Sequence, residues 1–171
     1  GSAVGPSDLT SLSDLAATVG ALLKERGETV AVAESSTAGL VSAALLAVPG
    51  ASAYFVGGAV VYTAQARVQF LDIDLDDHPG MRSASEPYAL LLARTNRKNL
   101  GTTWGLSETG AAGPTGNRYG DDAGHTCMAV SGPGPGELAE TLETDLTDRE
   151  TNMRLFAEYT LALFERALRK A

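Results

Sequence analysis

The spacing of apolar residues predicts an amphipathic helix near the start of the chain. Leucine and valine recur every three or four residues there, at positions 9, 12, 15, 19, 22 and 23. Gly27 is typical of a helix end, and the apolar run at residues 29–33 predicts a short strand after it. The hydroxyl-rich stretch at 35–37 then leads into a second predicted helix at 38–46.

The middle of the chain alternates between extended and helical patterns. Two apolar pieces, 53–56 and 59–62, are separated by Gly57-Gly58, which favours a hairpin. Residues 64–71 are predicted as a short helix, and the acidic stretch 72–82, with Pro79-Gly80, as a loop. Ser85 is predicted to cap a helix that has Glu86 and Pro87 in its first turn and reaches about residue 99.

The last third of the chain predicts strands at 102–106, 125–130 and 138–144, with a glycine-rich loop at 109–124 and a turn at 132–136. Thr147 is predicted to cap a final amphipathic helix. Its inward-facing candidates are Met153, Phe156, Leu163, Phe164 and Leu168. Strands interleaved with helices predict a three-layer α/β/α sandwich, and the adjacent extended pieces predict that its sheet is mixed.

Composition narrows the class of protein. A chain of 171 residues with 44% hydrophobic residues fits one domain, which we place at residues 7–171. Residues 1–6, beginning Gly1-Ser2-Ala3, are interpreted as a disordered tag remnant. The net charge of −8 argues against nucleic acid as a partner. The single Cys127, with no membrane-length apolar run and no signal-peptide pattern, predicts a cytoplasmic protein without a membrane partner.

The segment Glu34-Ser35-Ser36-Thr37-Ala38-Gly39 is the first candidate for chemistry, because it joins a predicted strand to a predicted helix. Free backbone N–H groups at a helix start favour an anion or a developing oxyanion. Ligands also bind at strand-to-helix junctions of α/β folds. A simple hydroxyl cap of the helix is the alternative interpretation.

Three further segments are weaker candidates. Tyr62 and Arg67 follow a predicted strand and can face one cleft, although an edge tyrosine and a solvated arginine explain the pair more simply. The loop that begins Thr109-Gly110 and continues through Gly113 can direct backbone amides at a ligand, but it fits neither a P-loop nor a Rossmann fingerprint. Arg149, at the start of the last helix, can pair with phosphate or be solvated. His78 and His125 suggest no metal site.

Taken in order, these segments resemble the C-terminal domain of the competence/damage-inducible protein CinA, the nicotinamide mononucleotide deamidase family. That family reads Ala-Glu-Ser-Cys-Thr-Gly-Gly at residues 33–39, Val-Pro-Gly-Ser-Ser-Ala at 48–53 and Val-Thr-Tyr-Ser-Asn-Glu-Ala-Lys at 60–67. It reads Ala-Val-Ser-Glu at 83–86, Thr-Gly-Ile-Ala-Gly-Pro at 109–114 and Gly-Asp-Arg at 147–149. The order and spacing cover nearly the whole chain from about Asp8.

The resemblance implies hydrolysis of the nicotinamide amide of the mononucleotide, without a metal or an organic cofactor. It implies a pyridine nucleotide as the small-molecule partner and self-association into a homo-oligomer. The implied catalytic residues are Ser35 as nucleophile with Tyr62, Arg67 and Thr109. The residues expected to bind substrate are Ser36, Thr37, Gly39, Gly110, Gly113 and Arg149.

One difference from the family pattern bears on activity. Arg67 stands where the family has lysine, and a guanidinium stays protonated and cannot act as a base. The remaining lysines, at positions 24, 98 and 170, lie on predicted helices away from the motifs. Two alternatives therefore stay open: a nucleotide-binding homologue without turnover, and a hydrolase of another small amide that uses Ser36, His125 or Asp121.

Overall fold

The computed structural model describes residues 11–171, which form one mixed sheet covered by helices on both faces. The strands are β1 (Val30–Glu34), β2 (Phe55–Val60), β3 (Trp104–Ala111), β4 (His125–Ser131) and β5 (Leu138–Glu143). Their order in the sheet is β2-β1-β3-β4-β5. Strand β1 runs parallel to β2 and β3, whereas β3, β4 and β5 are antiparallel neighbours.

The helices lie in two layers, so the predicted three-layer sandwich with a mixed sheet is confirmed. One layer contains α1 (Leu12–Arg26), α2 (Leu40–Leu46) and α5 (Arg149–Lys170), and the other contains α3 (Ala64–Leu71) and α4 (Glu86–Leu100). The first layer buries Phe156 and Phe164 against Trp104 of the sheet, whereas the second buries Tyr88 and Leu92. Within residues 11–171, no helix combines the length and the apolar content needed to span a membrane.

Local capping explains where the longer helices begin and end. The Ser85 hydroxyl accepts the Tyr88 N–H at the start of α4, and Gly101 ends that helix with a φ of 66°. Helix α5 is capped by the Asp148 carboxylate, one residue later than the predicted Thr147. The interpretation of residues 1–6 as a tag remnant lies outside the described residues.

The predicted hairpin around Gly57-Gly58 is wrong. Residues 55–60 form a single strand, β2, that pairs in parallel with β1. A Cβ on Gly57 would lie 3.0 Å from Leu100 Cδ1, and one on Gly58 would lie 2.5 Å from Ser42 Oγ. The glycines allow two helices to approach an extended strand closely, so here they do not mark a turn.

The predicted loop at 109–124 begins too early. Strand β3 continues to Ala111, because Thr109, Gly110 and Ala111 pair with β4 at Cys127, Thr126 and His125.

Helix α2 begins two residues later than the predicted start at residue 38. Ala38 and Gly39 both have positive φ angles, so the helix begins at Leu40.

Candidate functional site

A cleft of about 230 Å³ opens where the three parallel strands end. Ser35 directly follows β1, Tyr62 follows β2 by two residues, and Thr109 lies in the last part of β3. The carboxyl ends of parallel strands share one edge of the sheet, which is where α/β folds place ligands. We call this space the Ser35 cleft. Its lining includes Ser35, Tyr62, Arg67, Ser83, Ala84, Tyr88, Thr109, Gly110, Asn117 and Tyr119.

The backbone around Ser35 is held from beneath by the buried carboxylate of Glu108. Its Oε1 accepts the Ser35 N–H at 3.2 Å and the Thr37 N–H at 2.9 Å, and also the Thr37 hydroxyl at 3.1 Å. Its Oε2 accepts the hydroxyls of Ser36 and of Thr126, the latter at 2.8 Å. Because the loop is anchored on this side, the half-buried Ser35 side chain lines the cleft.

Burial raises the pKa of the Glu108 carboxyl, while the hydrogen bonds donated to it act in the opposite direction. No part of Glu108 reaches solvent. The residue therefore acts as a fixed acceptor that shapes the loop, and it does not line the cleft. The signal available in the sequence was a lone acidic residue close behind the predicted strand at 102–106, since a carboxyl group that becomes buried must be satisfied by several donors.

The start of α2 does not offer the anion site that the sequence suggested. The buried Glu34 carboxylate already accepts the N–H groups of Gly39, Val41 and Ser42, at 3.1, 3.0 and 2.8 Å. An internal carboxylate thus takes the place that a phosphate or oxyanion would need.

Three of the residues expected to bind substrate belong to this internal network. The hydroxyls of Ser36 and Thr37 donate to buried carboxylates, and Gly39 donates its backbone N–H to Glu34. Ser36 is 4% exposed and Thr37 is fully buried, and none of the three is among the residues that line the Ser35 cleft. The structure gives them the role of shaping the loop that carries Ser35.

Thr109 presents a hydroxyl donor to the cleft. Its Oγ1 accepts the backbone N–H of Ala84 at 3.1 Å. Because that bond uses the oxygen as an acceptor, the hydroxyl proton stays available for a group bound in the cleft. Gly110 lies beside it in the lining, and its missing side chain is required because a Cβ there would lie 2.5 Å from the His125 carbonyl oxygen.

Arg149 and Gly113 support the rim of the cleft through Tyr62. The Arg149 guanidinium donates to the Gly113 carbonyl at 2.6 Å and to the Tyr62 hydroxyl at 3.1 Å. Tyr62 itself is 60% exposed. Gly113 and Arg149 do not line the Ser35 cleft, so the structure brings them to the site as supports of Tyr62 and of the chain that follows β3.

Arg67 places a fixed positive charge in the cleft. Its Nη1 donates to Ser83 Oγ at 3.0 Å and lies 3.3 Å from Tyr88 Oη, and the guanidinium stacks 5.4 Å from the centre of the Tyr88 ring. Among the described residues, no carboxylate forms a salt bridge with Arg67. None of the three lysines lines the cleft, so no amine there can take the proton-accepting role of the family lysine.

His125 and Asp121, the alternative catalytic candidates, are engaged outside the cleft lining. Burial disfavours the imidazolium, but hydrogen bonds with Cys127, the Ala84 carbonyl and Glu143 outweigh it and raise the pKa of His125 to about 10. The charged ring contacts Glu143 at 2.5 Å and the Ala84 carbonyl at 2.8 Å. Asp121 forms a two-pronged ion pair with Arg82, at 2.7 and 3.2 Å.

The structure adds cleft residues that the sequence patterns did not single out. Ser83 and Ala84 lie just before α4 and Tyr88 lies in its first turn, whereas Asn117 and Tyr119 come from the loop after β3. The family motif at 83–86 and the Ser85 cap pointed to the first group, and a tyrosine inside a glycine-rich loop was the signal for the second. Over residues 11–171, no three His, Cys, Asp or Glu side chains are grouped so as to hold a metal ion.

Comparisons with known proteins agree with this architecture. The family model described as the CinA C-terminal domain matches residues 12–168. A CinA-like protein of Trichodesmium erythraeum is 38% identical over 157 residues, which are 90% of this chain and 36% of that protein. One from Synechocystis is 41% identical over 119 residues, which are 70% of this chain and 29% of that protein. The chain therefore spans about a third of the length of these relatives.

Solved structures show the same fold. A CinA superfamily protein from Klebsiella pneumoniae superposes with a TM-score of 0.88 at 22% identity, covering 95% of this chain and 100% of that one. A competence/damage-inducible protein from Agrobacterium tumefaciens superposes with a TM-score of 0.84 at 23% identity, covering 97% and 99% of the two chains. Since the family model extends over almost all of the described residues, this chain belongs to the CinA C-terminal domain family.

Proposed function

We propose that the protein hydrolyses the carboxamide of a pyridine mononucleotide, releasing ammonia and the corresponding acid. The observation that carries the proposal is the convergence of the Ser35, Thr109, Tyr62 and Arg67 side chains on one cleft at the end of the parallel strands. The nucleotide, a cytoplasmic location and assembly into a homo-oligomer are predictions carried over from the sequence. Hydrolysis of an amide by a serine needs only water as a second substrate, so no cofactor is invoked.

The geometry supports a separate role for each of these four side chains. The Ser35 hydroxyl attacks the carboxamide carbon, and the carbonyl electron pair moves to oxygen. The Thr109 hydroxyl donates to that oxyanion, since its own oxygen is already occupied by the Ala84 N–H. Tyr62, oriented by Arg149, contacts the bound amide at the rim. The uncompensated charge of Arg67 attracts the anionic end of the substrate.

Ammonia release from nicotinamide mononucleotide tests the proposal directly. The wild type is expected to release ammonia, and Ser35→Ala is expected to abolish it. Ser52→Ala is the matched control, because Ser52 is an exposed serine outside the cleft and its loss should leave the rate unchanged. Release that does not depend on Ser35 would contradict the role of this serine.

A second function, nucleotide binding without turnover, is favoured by one observation. The guanidinium of Arg67 is held by Ser83 and Tyr88 and cannot accept a proton from Ser35. Calorimetric binding of the mononucleotide with no ammonia release would support this function over hydrolysis. Ammonia from other small amides, but not from the mononucleotide, would instead indicate a different substrate.

A further inference from the structure

Serine attack on an amide needs a group that takes the hydroxyl proton, and the identity of that group rests on the proposed function. General-base help is worth about 10²–10⁴-fold in rate. Arg67 cannot supply it, and the charged His125 already donates from both ring nitrogens. Glu108 and Asp121 do not line the cleft. The titratable side chains that remain in the lining are the phenols of Tyr62, Tyr88 and Tyr119.

Tyr119 is held in the cleft by a structured loop. The Asn117 side-chain oxygen accepts the N–H groups of Tyr119 and Asp121, at 3.0 and 3.1 Å. The Asn117 amide donates to the Asp121 carboxylate at 2.8 Å, and Arg82 pairs with the same carboxylate. Because Asn117 closes the turn and Arg82 ties its Asp121 end to the segment before α4, the backbone that carries Tyr119 has a defined position.

Two arginine side chains, those of Arg118 and Arg82, lie against Tyr119. Arg118 Nη2 donates to its oxygen at 3.0 Å. The guanidinium carbons of Arg118 and Arg82 lie 5.0 and 5.1 Å from the centre of its ring. Arg67 shares with Tyr119 the lining of the Ser35 cleft and of an adjoining cavity of about 430 Å³.

The hydrogen bond from Arg118 lowers the pKa of the Tyr119 phenol, against the opposing effect of burial. A hydrogen bond with Ser83 and the charges of Arg118 and Arg67 lower it further. The neighbouring Tyr88 behaves in the opposite way, because its burial raises its pKa. The acidic groups nearby are Asp121, which Arg82 neutralises, and the carboxylates at 74 and 76 across the adjoining cavity.

We propose that Tyr119, as a phenolate stabilised by Arg118, is the general base that replaces the family lysine in this chain. The phenolate accepts the Ser35 hydroxyl proton, directly or through one water, while the Oγ–C bond forms. When the tetrahedral intermediate collapses, the C–N bond breaks and the phenol returns that proton to the leaving nitrogen, which departs as ammonia. Water then hydrolyses the ester by the same two proton transfers, and Tyr119 ends as the phenolate.

The first test compares Tyr119→Phe with the wild type in ammonia release from nicotinamide mononucleotide. Phenylalanine keeps the ring between the arginines, so the fold should persist, which circular dichroism can check. The expected result is a loss of about 10²–10⁴-fold in kcat/KM. Equal rates for wild type and variant would overturn the base role alone, whereas a wild type that releases no ammonia would overturn the proposed function and the base role together.

The second test separates a base from a merely structural tyrosine by pH. Activity should rise with pH as Tyr119 loses its proton, and Arg118→Gln should move this rising limb to higher pH because it removes the stabilising charge. Arg118→Lys should restore part of the shift, and Lys98→Gln, a charge loss on a distant surface, should leave the limb in place. An unmoved limb in Arg118→Gln would overturn the proposal.

A spectroscopic titration tests the same group without any substrate. The ultraviolet absorbance of tyrosinate should show one tyrosine that ionises before the others in the wild type and is missing in Tyr119→Phe. Arg67→Lys should also raise ammonia release more in the Tyr119→Phe background than in the wild type, since the lysine would be the only base there. If Tyr119 ionises no earlier than the other tyrosines, the inference is refuted.

Discussion

Replacing Glu108 by leucine would remove the acceptor of five hydrogen bonds beneath the Ser35 loop. The hydroxyls can find other partners; that of Thr37 already donates to Glu34 at 2.7 Å. The backbone N–H groups of Ser35 and Thr37 cannot, because both point into the buried space that the carboxylate occupies.

The two backbone N–H groups left without an acceptor determine how much stability is lost. Each buried donor left without a partner costs about 1–3 kcal/mol, so Glu108→Leu should lower the free energy of unfolding by about 2–6 kcal/mol. Against a total of about 5–15 kcal/mol for a domain, this is a large fraction. Glu108→Gln should cost only about 1 kcal/mol, because the amide oxygen still accepts both N–H groups while the hydroxyls of Ser36 and Thr126 turn to accept from its NH₂.

The pH dependence gives an independent check on the Gln variant. The folded-state pKa of Glu108 is raised above its ordinary value of 4.5, so the folded protein keeps this proton to higher pH than the unfolded chain. Its contribution to stability is therefore greatest below pH 4.5 and declines as the pH rises through the raised pKa. The stability deficit of Glu108→Gln relative to the wild type should accordingly shrink with rising pH.

Urea denaturation, followed by circular dichroism, measures the free energy of unfolding of the wild type, Glu108→Leu and Glu108→Gln. Equal slopes of free energy against urea concentration would show that the three proteins expose similar surface on unfolding. Ammonia release should fall further in Glu108→Leu than in Glu108→Gln, because only leucine frees the loop that carries Ser35. If leucine and glutamine cost the same, or if leucine costs nothing, the assignment of Glu108 as the anchor of this loop is wrong.

Two further predictions concern the sheet and its buried charge. Gly105→Ala should destabilise the protein by about 3 kcal/mol, because the new Cβ would lie 2.1 Å from the Ala93 carbonyl oxygen of α4. Gly57→Ala is the control: its Cβ meets only the flexible Leu100 side chain, at 3.0 Å, and the change should cost less than half as much. Urea denaturation measures both variants, and equal losses of stability would contradict the prediction. For His125, a folded-state pKa raised from 6.5 to about 10 means that its contribution to stability is fully present below pH 6.5 and is lost as the pH rises through about 10. His125→Gln should flatten that decline, and a curve as steep as that of the wild type would refute the charged state of the buried ring.

Much of the secondary structure could be predicted because its causes are local. Helix α3 was predicted with the bounds that the structure shows, and Ser85 and Gly101 limit α4 through bonds between residues three or four positions apart. The layers followed from the alternation of strands and helices, and the mixed sheet from extended pieces that are adjacent in the sequence. The order of the motifs also identified the family, because a short motif can be recognised in the sequence without knowing where the fold places it.

The candidate site was predictable only in part. Ser35, Tyr62, Arg67 and Thr109 meet at one cleft, and each stands in a motif that marks the end of a strand or the turn after it. Ser36 and Thr37 carry the same kind of hydroxyl one and two residues further on, yet they face inward. A run of hydroxyls does not indicate which one lines a cavity, because that depends on which acceptor lies behind the loop.

By itself, therefore, the sequence determined the helices, most strands, the family and the strand-end residues that meet at the Ser35 cleft. The tertiary structure alone decided that Gly57-Gly58 lies within a strand, that β3 extends through Thr109, and that Tyr119 joins the cleft. The physical reason is the separation of the interacting residues along the sequence. Helix caps and periodic apolar faces involve residues a few positions apart, whereas the Ser35 loop is anchored by a carboxylate 73 residues away. Contacts across such separations exist only after the sheet has brought β1 and β3 side by side.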